Sequence, residues 1–214
     1  MAFPVDERPP RQAPPTEGRS PSPEHFWNLP NTITVLRTGA VPMLMLLPVF
    51  PDETGSTVIA WGFIVAATTD LLDGWLARRG QQVTSIGKLL DPLADKLLVA
   101  TALVVLLAMG RIPVWMTFMV VVIIGRELAV TGLRGIASAA GHVVAASWLG
   151  KLKAVSQNVA IGALLFHYET LGLDANLLGL VLLGLATALT LSSGYLYFAD
   201  YFRGQAGGPP ESAT

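Results

Sequence analysis

The chain has 214 residues, 52% of them hydrophobic and 14% charged, with a formal net charge of -1 and a mean hydropathy of +0.54. Long apolar runs recur between residues 33 and 198, which excludes an ordinary water-soluble core and places the chain among polytopic membrane proteins. The absence of cysteine removes disulfides, thiolate chemistry and Cys-ligated metals, and nucleic acid is not expected as a partner.

Residues 1–25, "MAFPVDERPPRQAPPTEGRSPSPEH", are rich in Pro, Glu, Arg and Ser and read as a disordered tail, without the apolar core of a signal peptide. A membrane domain follows over 26–203, and a second tail over 204–214. Within the domain six apolar stretches, at 31–50, 56–79, 87–110, 113–136, 147–168 and 176–198, each approach the roughly 20 residues a helix needs to cross about 30 Å of hydrocarbon. They predict an all-α fold with six transmembrane helices. With both tails on one side, Arg78, Arg79, Lys88, Arg134, Lys151, Lys153 and Arg203 gather there too. The opposite side has Arg111 beside Asp52, Glu53, Glu169 and Asp174. The positive-inside rule then puts both termini in the cytoplasm.

At the start of the first span, "PNTITVLR" offers Asn31 as an N-cap, with Thr34 and Arg37 near the same interface. The second and third spans carry four aspartates at their cytoplasmic ends. On a helix at 100° per residue, Asp73, Gly74 and Ala77 fall within about 60° of Asp70, and Arg78 about 80° away. Gly87, Asp91 and Asp95 follow at steps of four on the next helix, so two polar stripes joined by a short connection can face one another.

Carboxylates so placed cannot all stay ionised in a poorly solvated site without positive charge among them. Hard, oxygen-only ligands suit Mg²⁺ or Mn²⁺, and four carboxylates suffice for two ions. Gly74, Ala77 and Gly87 leave room for a ligand against the backbone. A mid-helix Gly costs about 1 kcal/mol relative to Ala, which asks for a compensating role. Metals and a guanidinium, Arg78, at one polar notch point to phosphate chemistry. Any one of these aspartates alone reads more simply as a helix-terminal charge facing water.

In the fourth span Arg126 and Glu127 interrupt an apolar run, and Arg134 lies about 80° round the helix from Arg126. An arginine at such a position needs a partner or an anion. Glu127 is the structural partner in one reading. In the preferred one, Arg126 and Arg134 bind an anionic substrate and Glu127 orients one of them. Lys151 and Lys153, two apart, point to nearly opposite sides of a helix, so only one faces the same pocket; Lys151 is preferred, and lipid anchoring suits either. The tryptophans Trp27, Trp61, Trp75, Trp115 and Trp148 mostly sit near span ends, as interfacial aromatics do. The Leu- and Gly-rich final span shows no chemistry and is expected only to pack against helices or lipid.

The run Asp70, two residues, Asp73-Gly74, two residues, Ala77-Arg78, eight residues, Gly87, three residues, Asp91, three residues, Asp95 resembles the signature of the CDP-alcohol phosphotransferase family in every element. The resemblance implies six transmembrane helices, a homodimer, a divalent-metal site at the cytoplasmic membrane boundary, and transfer of a substituted phosphoryl group from a CDP-linked donor to an alcohol with release of CMP. By motif position Asp70, Asp73, Asp91 and Asp95 are implied as metal ligands and Asp95 as the base. Gly74, Ala77, Arg78 and Gly87 are implied to contact the CDP part, with Asn31 and Arg37 added on the donor side.

The stretches "NLPNTITVLRTGAVP", "GRELAVTGLRGIASAAG" and "AASWLGKLKAVSQ" are similar to bacterial members of the family that use glycerol 3-phosphate. The implied reaction joins the phosphatidyl group of CDP-diacylglycerol to the acceptor's 1-hydroxyl in the bacterial cytoplasmic membrane. Arg126, Glu127, Arg134, Lys151 and Lys153 then form the glycerol-phosphate side. Two alternatives stay open: a sibling transferase taking inositol phosphate or phosphatidylglycerol, and a divalent-cation transporter. The transporter is disfavoured because the aspartates cluster at one membrane face, whereas a conduction path continues through the midplane.

Overall fold

The computed structural model describes residues 29–76, 85–139, 148–170 and 172–206; the side chains of 29–34, 36, 70–76, 85–92, 139, 170 and 204–206 lie outside the description. Six α-helices make up most of the described chain: α1 (Leu29–Leu44), α2 (Glu53–Leu76), α3 (Ser85–Ala108), α4 (Thr117–Ala139), α5 (Trp148–Phe166) and α6 (Ala175–Ala206). They coincide with the six predicted stretches, differing at the ends. Most of the two predicted tails falls outside the described residues, and α6 runs on past 203 to Ala206.

Two boundaries differ for local reasons. The first stretch was expected to run to 50, but α1 stops at Leu44 and continues as turns, with Leu46 N donating to Met43 O and Leu47 N to Leu44 O, both at 3.1 Å. Pro42 within the helix and Pro48 beyond it each remove a backbone donor, so the regular ladder cannot continue. Asn31 sits inside the first turn of α1, which begins at Leu29, and is therefore not its N-cap. The all-α expectation has one small exception, a hairpin pairing Glu169–Thr170 with Leu173–Asp174, turned at Gly172 with φ +74°.

Among the described residues the helices close into a ring. α4 packs on α3, α3 on α1, α1 on α2, α2 on α5, α5 on α6, and α6 returns to α4, while α3 also reaches α5 across the middle. The two aspartate-bearing helices thus flank α1. Arg37, Ala40 and Leu44 form the inward stripe of α1; Leu98, Val99, Ala102, Leu103 and Leu106 form that of α3, at the spacing of one helical face. Against them stand Ile59 and Phe63 of α2, Ile123 of α4, Ile161 and Leu164 of α5, and Leu183 of α6. α5 and α6 approach closely at Gly179, where an added Cβ would lie 2.9 Å from the backbone nitrogen of Leu164.

The outside of the ring is as apolar as the inside. Val58, Val65, Val104, Val121, Leu128, Val181 and Leu185 are all at least half exposed, a surface that suits hydrocarbon and not water. Among the described residues two helical segments, Val114–Ser138 and Ala175–Arg203, are long and apolar enough to cross a membrane by length and composition. Trp115 and Trp148 lie exposed near helix ends, whereas Trp61 sits within α2, edge-on to Phe166 at 5.9 Å.

At the end of the ring away from the aspartates, Arg111 is buried between three segments. Its guanidinium donates to Leu165 O at 2.7 Å and Leu164 O at 3.5 Å, at the C-terminus of α5. It also donates to Pro51 O at 3.3 Å and Ser56 Oγ at 2.6 Å, at the entry of α2. Carbonyls left over at a helix C-terminus are thereby satisfied by a cation, and the α2 entry is tied to α5. Burial pulls the Arg111 pKa below its ordinary value, with Tyr168 acting in the other direction. Tyr168 itself donates to Pro51 O at 2.8 Å.

Candidate active site

Asp70, Asp73 and Gly74 occupy the last turns of α2; Gly87, Asp91 and Asp95 occupy the first three turns of α3. Each pair of aspartates, three apart on α2 and four apart on α3, shares one helix face. Asp95 is the one whose side chain is described, and it is 28% exposed. Ala77 and Arg78 lie outside the described residues. By residue type these positions offer carboxylate oxygen without nitrogen or sulfur, a chemistry that would fit a hard divalent cation.

Beside Asp95 the helices build a charged cluster that the sequence shows only in part. Lys96 Nζ lies 2.8 Å from Asp95 Oδ2 and 2.8 Å from Glu127 Oε2. The other oxygen of Glu127 accepts from Lys153 Nζ and, at 3.2 Å, from Arg126 Nη1. Arg126 Nη2 reaches α6, donating to Ser193 Oγ at 3.0 Å. Residues from α3, α4, α5 and α6 therefore meet around one carboxylate. Glu127 and Lys153 are 5% and 3% exposed, so their ionised forms depend on this pairing.

Among these described residues three cations, Lys96, Arg126 and Lys153, stand against two carboxylates, Asp95 and Glu127. The cluster carries one surplus positive charge. Its Arg126 Nε has no protein partner among the described residues, and neither has Gln157 Oε1, one turn beyond Lys153, nor Tyr197 Oη, one turn beyond Ser193. Leaving a buried polar group unpaired costs about 1–3 kcal/mol, so a fold that keeps three of them near one charged cluster is suited to a polar ligand.

The remaining expectations divide. Arg126 and Glu127 come together, Glu127 contacting Arg126 as the sequence suggested. Arg134 stands apart and exposed, its guanidinium 5.7 Å from the Tyr197 ring. The preference for Lys151 is reversed: Lys151 is exposed, and Lys153 turns into the cluster. Both residues lie on a regular helix, so only one of them can face inward, and packing of α5 on α6 selects Lys153. Arg37 is buried at 1% exposure on the inward face of α1. Asn31 has its backbone on α1 and its side chain outside the description. Lys96 was missed, although its place directly after Asp95 was the available signal. Ser193 was missed because a serine in a Leu- and Gly-rich span ordinarily bonds its own backbone, as Thr187 and Thr190 do.

The model of the CDP-alcohol phosphatidyltransferase family matches residues 27–192, covering both aspartate helices and the five charged residues of the cluster. The chain belongs to that family. Several curated proteins resemble it over most of its length. A CDP-diacylglycerol–glycerol-3-phosphate 3-phosphatidyltransferase of Bacillus subtilis is 42% identical over 186 residues, 81% of this chain and 95% of the relative. The protein of the same name from Haemophilus influenzae is 34% identical over 80% of this chain and 91% of the relative. A probable phosphatidylglycerophosphate synthase of Mycobacterium tuberculosis is 38% identical over 87% of each. Family membership and the apolar exterior together make the chain a membrane protein.

Proposed function

We propose that this phosphatidyltransferase moves the phosphatidyl group of CDP-diacylglycerol to the 1-hydroxyl of glycerol 3-phosphate, giving phosphatidylglycerophosphate and CMP in phospholipid biosynthesis. The observation that carries the reading is the cationic cluster around Glu127, set directly beside Asp95 in a chain whose relatives bear that reaction in their names. An acceptor that is itself a phosphate monoester needs such a site; a neutral alcohol does not.

In this reading Arg126 and Lys153 hold the acceptor phosphate, with Arg134 and Lys151 at the rim, and Glu127 fixes both inner cations. Asp95 takes the proton of the 1-hydroxyl as its oxygen bonds to the phosphatidyl phosphorus. The bond from that phosphorus to the oxygen of CMP breaks, and the electron pair leaves with CMP. Lys96 ties the base to the acceptor cluster. Gly74, Ala77, Arg78 and Gly87 receive the CDP part, with Asn31 and Arg37 on the donor side.

Asp70, Asp73, Asp91 and Asp95 would hold two Mg²⁺ or Mn²⁺ ions, which when bound neutralise the diphosphate and the charge growing on the leaving oxygen. All six helices cross the bacterial cytoplasmic membrane, with both tails and the active site at its cytoplasmic face, and the chain works as a homodimer.

The test is transfer of labelled glycerol 3-phosphate into lipid by the purified protein with CDP-diacylglycerol and Mg²⁺. Wild type incorporates label, and Asp95→Asn loses about 10²–10⁴-fold of the rate, the range of a positioned general base. CMP release only with inositol phosphate or phosphatidylglycerol as acceptor would keep the fold and replace the acceptor.

A further inference from the structure

The last helix shapes the charged cluster, although it contributes none of the cluster's cations or carboxylates. Ser193 is 1% exposed, and its hydroxyl donates to Thr190 O at 3.2 Å within α6. With its one proton committed to the backbone, Oγ offers lone pairs only, and it receives Arg126 Nη2 at 3.0 Å.

The next residue is Gly194. A Cβ there would stand 3.2 Å from Arg126 Cγ, tight enough that the arginine stem would have to shift by a few tenths of an ångström, and in ordinary contact with its Nε at 3.5 Å. The arginine stem therefore lies in a groove that a bare backbone leaves open. Glu127 takes one end of the guanidinium at 3.2 Å, Ser193 takes the other, and Nε has no partner among the described residues. Two neighbours fix the plane of the fork and leave the buried Nε–H short of an acceptor.

We propose that Ser193 and Gly194 are positioning residues of the acceptor site, holding the Arg126 guanidinium so that its Nε–H edge meets an anionic oxygen of the phosphorylated acceptor. This rests on the function proposed above, and it adds α6 to an acceptor site otherwise drawn from α3 to α5.

The experiment is steady-state kinetics of the full chain in detergent with CDP-diacylglycerol, Mg²⁺ and glycerol 3-phosphate. Ser193→Ala raises KM for glycerol 3-phosphate about tenfold, the factor expected for losing a hydrogen bond to a charged group, with kcat within about twofold and KM for CDP-diacylglycerol unchanged. Ser193→Thr, which keeps the hydroxyl, restores KM. Gly194→Ala moves KM in the same direction as Ser193→Ala. In an Arg126→Gln background Ser193→Ala has no further effect, because the residue it positions is gone.

A fall in kcat at constant KM, a Thr variant no better than Ala, or effects that add to Arg126→Gln would overturn the proposal. If wild type incorporates no label, the acceptor reading has failed, and the seat is read instead from thermal stabilisation by inorganic phosphate. Ser193→Ala and Gly194→Ala must then reduce that stabilisation; unchanged stabilisation overturns the seat.

Discussion

Arg111 and Glu127 are both buried charges in an apolar bundle, and they are treated in opposite ways. Arg111 is surrounded by four neutral oxygens, two of them carbonyls at the end of α5, so its hydrogen bonds are spent on chain ends and on the α2 entry. Glu127 is shared by Lys96, Arg126 and Lys153, an excess of cations that closes no helix end. A charge whose partners are backbone carbonyls holds the fold together. One outnumbered by side-chain cations leaves a potential for something else to neutralise.

The largest contrast should come from Glu127→Gln. Removing the shared carboxylate strands buried cations and costs about 3–5 kcal/mol, the range for breaking a buried pair. Unfolding in detergent and labelled-lipid synthesis should both suffer; a variant with wild-type thermal midpoint would mean that the cations are already neutralised otherwise. Arg111→Ala comes next. It leaves the carbonyls of Leu164 and Leu165 and the hydroxyl of Ser56 short of a donor, for a loss of about 1–3 kcal/mol. The surviving protein should keep its KM for glycerol 3-phosphate, and a raised KM would break the division between the two ends.

Lys153→Gln should raise that KM by at least about tenfold, since it removes a buried cation from the acceptor side. Lys151→Gln, on the exposed side of the same helix, should stay within about twofold. Equal effects from the two would say that the rotation of α5 is different in the working enzyme. Smallest is Arg134→Gln. An exposed cation over an aromatic ring contributes about 0.5–1 kcal/mol, so a change of a few fold at most is expected in KM and little in stability.

Much of this architecture was legible beforehand, because length and apolar content locate a helix well. What they leave open is its rotation. Lys151 and Lys153 differ by only two positions, and choosing between them requires knowing that α5 packs against α6. Arg111 was visible only as an isolated base near acidic residues, since its acceptors are carbonyls, which every residue has. Ser193 was hidden for a related reason: a serine in an apolar helix usually bonds its own backbone, as Thr187 and Thr190 do at 2.8 and 2.6 Å, and nothing local marks the one that also meets an arginine. The Arg126–Glu127 pair was readable because two adjacent charges in an apolar run have few structural explanations.

Closure of the ring by α6 also sets an order of events during synthesis. Arg126 is translated 67 residues before Ser193, so the arginine enters the membrane well before its neighbour exists. Until the final helix inserts and docks between α4 and α5, the guanidinium lacks one of its two anchors. Full affinity for the phosphorylated acceptor would then arrive only with docking of the final helix, and a nascent chain would sit in the bilayer as a weaker competitor for substrate.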